Sequence, residues 1–416
     1  MTDFTTLTRQ MKRDILTFSQ KISVGTSRPD QKFCADMLYG MLASESCLLT
    51  DIAQQLKERG KKIHTVYRLS RHLAEGIPPE LYANYLRLVK SLSPDKPVVH
   101  IDDSDVIKPC GKKFEALGIV RDGSASTKDK SVFEKGFHVT EACVLTKENH
   151  PVSIYSWIHS SAEKNYTSTN DITFAAINTA EKVFGKATFV MDRGYDDNKI
   201  FKKFCNDKQD FVIRLTQKRN LFYKNRWIKA TELCERRKGK IKMHLNYKGA
   251  WHDAYLSHVK TQITAGKQDV YLVLVYGITE HPMMLVTNKV IHSKEDVMQI
   301  ARLYFSRWRI EEYFRSKKQI FGLENFRVRS LKSINALNFF MSACMAFLGK
   351  LANKQRTMLY AKIIQKARPI KKKVKFLYYR IASGVQEILF DARIGLRECF
   401  KPLRPNQMQL RLRLPR

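Results

Sequence analysis

Two short apolar runs, each stopping on an aspartate, constrain this chain most. Val98-Val99-His100-Ile101 runs into Asp102, and Ala187-Thr188-Phe189-Val190-Met191 runs into Asp192. Runs of this length, rich in β-branched residues, read as buried strands. Between them the pattern gives strands over 136–145 and 152–158, then a helix over 172–183 that Asn170 would cap. A short helix over 198–204 and a strand over 210–215 follow. Three strands in succession, then alternating helix and strand, predict a mixed sheet in an α/β core. A carboxylate at the C-terminal edge of such a strand faces the usual ligand crevice.

The flanking segments differ in period. Residues 1–92 read as all-helical, and the turn at Glu58-Arg59-Gly60 before Lys61, Lys62 and His64 suits a helix-turn-helix DNA module. A plain helical bundle with basic faces fits the same pattern. The α/β core takes residues 93–216. Residues 217–282 are short, basic, strand-like segments and form a β-rich insertion. A strand at 283–287 then leads into one long helix from Lys294, with Ser293 and Asp296 as its capping pair, within a second core part over 283–350. The apolar stretch 334–348 is too short and too polar to span a bilayer and reads as a core helix. Residues 351–416 carry seventeen Lys and Arg against three acids, with Lys371, Lys372, Lys373 and Lys375 among them.

Charge narrows the partner. Lys and Arg number 74 against 40 Asp and Glu, a net +34. Neutralising phosphates with Lys and Arg releases counterions, so an excess of this size suits a nucleic acid. Its spread along the chain argues against a membrane surface, which one basic amphipathic helix would serve. The eight cysteines form no C-x-x-C pair, so zinc chemistry is not expected and the thiols read as reduced, in a cytoplasmic protein.

The helix from Lys294 supplies a third acid. At about 100° per residue, Tyr304, Arg307, Arg315 and Lys318 all fall within about 40° of Glu311, while Leu303, Ile310, Phe314 and Phe321 form a separate apolar stripe. The helix would thus dock on the sheet and present a carboxylate flanked by cations. Clustered carboxylates repel unless a cation joins them. Hard oxygen ligands favour Mg²⁺, with Mn²⁺ as a substitute, and a pair of such ions suits in-line phosphoryl displacement. Arg307, Arg315 and Lys318 would hold DNA phosphates. Taken singly, Asp102 or its neighbours Asp103 and Asp105 could cap a turn, Asp192 before Arg193-Gly194 could be turn chemistry, and Arg307 with Glu311 could be an ordinary ion-pair ladder.

The segment Tyr304-Phe-Ser-Arg307-Trp-Arg-Ile-Glu311-Glu-Tyr-Phe-Arg-Ser-Lys-Lys318 fits the pattern Y-x-x-R-x-x-x-E-x(6)-K. In this it resembles the IS-four-type DDE transposases, bacterial insertion-sequence enzymes. Asp102-Asp-Ser-Asp105 and Met191-Asp192-Arg-Gly194 look like that family's first and second acidic motifs, and the likeness runs from about residue 30 to 350. It implies a ribonuclease H-like core interrupted by a β-rich insertion, with Asp102, Asp192 and Glu311 as catalytic residues holding two Mg²⁺ ions. It also implies recognition of terminal inverted repeats, Tyr304, Arg307 and Lys318 on DNA near the cleaved end, and a homodimer on nucleoid DNA. The relatives carry a Trp at the start of the strand before the motif helix, where it stacks on a flipped base. Met283 stands there and offers no π-face, and Trp227 and Trp251 are expected to pack within the insertion. A nuclease without strand transfer, or a DNA-binding protein without catalysis, would share much of this pattern.

Overall fold

The computed structural model describes residues 2–127, 129–247, 250–369, 377–390, 395 and 396, with side chains from residue 6 onward. The lysine run at 371–375 lies outside them. Five helices come first: α1 (Thr2–Ser23), α2 (Arg28–Ser44), α3 (Leu49–Leu56), α4 (Lys62–Glu75) and α5 (Pro79–Leu92). Strands β1 (Val98–Ile107), β2 (Gly118–Arg121), β3 (Phe133–Leu145) and β4 (Pro151–His159) follow, then α6 (Thr169–Phe184), β5 (Thr188–Met191), α7 (Asn198–Asn206) and β6 (Asp210–Arg214). Ser168, not Asn170, caps α6, its side chain accepting from Asp171 N.

The next stretch is mostly strand: β7 (Asn220–Tyr223), β8 (Arg226–Lys229), α8 (Ala230–Glu235), β9 (Ile241–Tyr247), β10 (Ala250–Ile263), β11 (Gln268–Tyr276) and β12 (Met283–Thr287). Helices close the described chain: α9 (Lys294–Phe305), α10 (Trp308–Phe321), α11 (Leu331–Ala352), α12 (Met358–Lys366) and α13 (Tyr378–Phe390). Helix α11 is long and apolar enough to cross a membrane, yet it is almost wholly buried inside the fold.

The strands join in one mixed sheet, ordered β2-β3-β1-β5-β6-β12-β11-β10-β7-β8, with β4 on β3 and β9 on β10. β1, β5 and β6 are mutually parallel, and β3 runs antiparallel to β1. This mixed α/β arrangement is compatible with a ribonuclease H-like transposase core.

Strand alternation assigns side chains to two faces. On one, Val190, Val212, Val273, Val275, Met283 and Leu285 pack with Val297, Ile300, Ala301 and Tyr304 of α9. On the other, Phe189, Met191, Phe211 and Ile213 join the larger core, with Phe201 and Phe204 of α7 against Phe211 and Phe189. The single long helix expected from Lys294 is two. Ser306 and Arg307 close tight turns, Arg307 N donating to Tyr304 O and Ile310 N to Arg307 O, both at 3.0 Å. The break lets both helices stay on one face of the sheet: α9 covers Val190 and Val212, while α10 lies over β1 and β3, where Glu141, opposite Asp102 and on the side of His100 and Val190, meets Lys317. Neither Pro nor Gly marks it, so helical periodicity runs straight through it.

Candidate active site

Register brings the two aspartates together. In the parallel pair, Ile101 lies opposite Met191, so Asp102 and Asp192 follow side by side where that pairing ends. Asp102 is not at the end of its strand, contrary to expectation. β1 runs on to Ile107 because β3 continues beside it, pairing Asp102 with Glu141 and Ile107 with Gly136. Alternation sends Asp102 to the face of Val98 and His100, and Asp103 to the other, where it accepts from Thr140 Oγ1 at 2.5 Å. Asp192 also does turn work: its Oδ1 accepts from Gly194 N at 2.6 Å, starting a single 3₁₀ turn.

Glu311 arrives from α10 and meets Asp102 through Arg307. Arg307 Nη1 donates to Asp102 Oδ2 at 2.7 Å, and its Nη2 donates to Glu311 Oε1. Burial works against the guanidinium's charge, but Asp102, Glu311, Tyr304 and Asp192 more than offset it and raise its pKa. All three acids thus act on one guanidinium. Burial is also the largest influence on Asp102; opposed by Arg307 and reinforced by Asp192, Asp103 and Glu311, it pushes the carboxyl up to about 7. A second tie sets the break between α9 and α10. His100 Nε2 lies 2.9 Å from Ser306 Oγ, and that hydroxyl donates to Leu303 O, so the imidazole is the donor. Burial, with Arg307 and Arg309 adding to it, lowers the His100 pKa to about 3 and keeps the ring neutral. Nothing in the pattern of 98–101 singles out His100.

The flanking residues are each held within the protein. Tyr304 belongs to α9, not to the helix of Glu311, and is buried with a hydrogen bond to Arg214. Arg315 pairs with Glu312 at 2.7 Å and Lys318 with Glu324 at 3.1 Å. Beside the site, Arg193, Arg214, Gln217, Lys218, His281 and Met284 line a groove at the end of β6. Met283 is buried against α9, and the next residue, Met284, faces that groove. Trp227 and Trp251 are not packed in the insertion as expected. They are 47% and 65% exposed, with Trp251 stacked on His244 at 4.9 Å.

The pattern also conceals a buried ion pair behind the motif helix. Lys317 Nζ lies 3.0 Å from Glu141 Oε2, both side chains fully buried. Lys317 also donates to Ser156 Oγ at 3.0 Å and Ser342 Oγ at 2.8 Å, and Glu141 accepts from Ser153 and Ser156. Both charged tips are hydrogen-bonded, which a buried charge pair requires. It anchors α10 to β3 and β4 on the side away from Glu311. A lysine among Ile310, Phe314 and Phe321 is its only sign in the sequence.

The donors suit a hard divalent cation: carboxylates crowded enough that one is driven toward its protonated form. As they stand, Arg307 neutralises two of them, and among the described residues no group of three His, Cys, Asp or Glu is placed to hold a metal ion.

No curated protein matches the chain. Residues 156–348 match the family model described as the transposase DDE domain, a segment that contains Asp192 and Glu311 and begins after Asp102, and the match supports a DDE transposase.

Proposed function

We propose that this protein is a cut-and-paste DNA transposase of the IS-four type, binding terminal inverted repeats and using Asp102, Asp192 and Glu311 for strand cleavage and transfer. The observation that carries the reading is the parallel register of Ile101 with Met191, which sets Asp102 beside Asp192, while Arg307 joins Asp102 to Glu311. Two Mg²⁺ ions held by the three carboxylates would activate a water or 3′-hydroxyl and stabilise the departing oxygen. The chain's own part is positioning. A DNA phosphate entering beside Asp192 competes with the carboxylates for Arg307, and a guanidinium binds phosphate as readily, through two parallel hydrogen bonds. Withdrawal of Arg307 onto the phosphate frees Asp102 and Glu311 together. Arg193, Arg214 and Lys218 in the adjoining groove, with Arg315 and Lys318 along α10, would extend the track for the backbone. Tyr304 fixes Arg214 from below.

Duplexes carrying the element's ends should be cut in Mg²⁺ or Mn²⁺ and left whole in EDTA; full cleavage in EDTA would remove the three-carboxylate reading. Joining of the released 3′ end to target DNA distinguishes a transposase from a nuclease.

The register also separates Asp102 from its neighbour. Asp102→Asn should reduce cleavage at least about a hundredfold, as loss of a direct metal ligand exceeds the 10–100-fold typical of outer-shell partners. Asp103→Asn keeps the hydrogen bond from Thr140 and should retain most activity. Rates on one duplex check both, and the reverse order would shift the active register by one residue.

A further inference from the structure

Helices α2, α3 and α4 pack as one unit that leaves one face of α4 open. α2 and α3 cross so closely that a Cβ on Gly40 would collide with Ile52 Cγ2. α3 ends on Lys57 with φ 49, turning the chain toward α4. The roll of α4 is then fixed from beneath. Arg68 Nη1 lies 2.9 Å from Asp36 Oδ2, a buried acid of α2, and its Nη2 lies 3.0 Å from Glu58 Oε1 in the turn. Thr65 Oγ1 donates to the other Glu58 oxygen at 2.7 Å.

With Thr65, Leu69 and Leu73 buried, helical spacing puts Ile63, His64, Tyr67 and Arg71 within an arc of about 100° on the far side. All four are exposed, Ile63 by 46% and Tyr67 by 60%. Lys61 and Lys62 flank them, and the helix has no acid before Glu75.

We propose that α4 is the helix that reads base sequence, lying in the major groove with Ile63, His64, Tyr67 and Arg71 toward the base edges and α3 across the backbone. This rests on the transposase reading above. Charge selects the occupant: cations frame the face and no acid opposes a phosphate along it. The chemistry of the face suits the groove, which admits one α-helix. Apolar carbons of Ile63 and Tyr67 match thymine methyls, and Arg71 matches guanine O6 and N7.

Reading is also joined to chemistry. At the start of α3, Cys47 N donates to Phe321 O at 2.8 Å and its Sγ to Gly322 O at 3.0 Å. Those carbonyls end α10, the helix that bears Glu311. Where α4 seats in the groove therefore sets which bond comes to Glu311.

The test selects bound duplexes from a random pool with the full-length protein in EDTA, where no strand is cut. It is repeated with Tyr67→Ala and Arg71→Ala, each checked for native circular dichroism. Each variant should lose about tenfold in the ratio of selected-sequence to random-sequence affinity and should relax the consensus at one or two positions. An unchanged consensus and ratio in both variants overturns the assignment of α4 while leaving the transposase reading intact. A wild-type protein that selects no sequence and cuts no element end in Mg²⁺ overturns the transposase reading itself. Altered self-association in the variants with DNA selection unchanged makes the face a protein contact and overturns the proposal.

Discussion

Glu311→Gln should reduce strand cleavage at least about a hundredfold, since a direct metal ligand outweighs the outer-shell partners whose loss costs 10–100-fold. Binding to element ends should persist or tighten slightly, because the change removes one negative charge near phosphate. Folding should hardly respond: the Glu311 side chain is 50% exposed, and an ion pair so open to water is worth about 0–1 kcal/mol. Glu312 is the internal control, adjacent and chemically identical but about 100° away around the helix. Its partner is Arg315, at 2.7 Å, and Glu312→Gln should leave cleavage within a fewfold of wild type. Equal loss of cleavage and of binding in both variants would make the charges of α10 structural.

Lys317→Met should destabilise the fold far more than Glu311→Gln does. It strands Glu141, whose side chain is fully buried, and breaking a buried pair from one side costs about 3–5 kcal/mol. Ser153 and Ser156 would still donate to the carboxylate, which places the loss toward the lower end of that range. Adding Glu141→Gln removes the orphan charge and should restore much of the stability, a non-additivity that defines direct coupling. Urea midpoints of the four proteins in the cycle check this. Additive effects in the double variant would mean that the two side chains do not depend on each other.

The α/β core is legible because its strands are short unbroken apolar runs, and the run at 187–191 ends as a strand on Met191, just before Asp192. Asp102 reads as a strand terminus because a sequence shows where a strand's apolar run stops, not which partner runs on beside it. Only the β3 pairing shows that Asp102 lies mid-strand, next to the end of a parallel neighbour. A face shared by Tyr304 and Glu311 assumes one helix. Two helices replace it because Leu303 packs with the cluster over β5, β6 and β12 while Ile310 joins the larger core beside β1 and β3 on the same face, a tertiary demand that no local residue announces. Burial of Lys317 is hidden for a related reason. Its partner lies 176 residues away in the sequence, and a lone lysine on an apolar stripe reads as a boundary residue until that partner is known. Packing Trp227 and Trp251 inside the insertion follows the general preference of aromatics for cores, a rule that runs one way only.

Arg307 stands between Asp102 and Glu311 and pairs with both; on the proposed function it would pass to a phosphate when DNA arrives. Divalent ions should therefore bind these acids more tightly with DNA present than without. Mn²⁺ titration followed by electron paramagnetic resonance, on the protein bound to a duplex carrying an element end, tests this most directly. Wild type should take up Mn²⁺, and Asp102→Asn, Asp192→Asn and Glu311→Gln should each weaken that uptake by at least about tenfold. Wild-type Mn²⁺ affinity in all three variants would contradict the claim that these carboxylates form the catalytic centre.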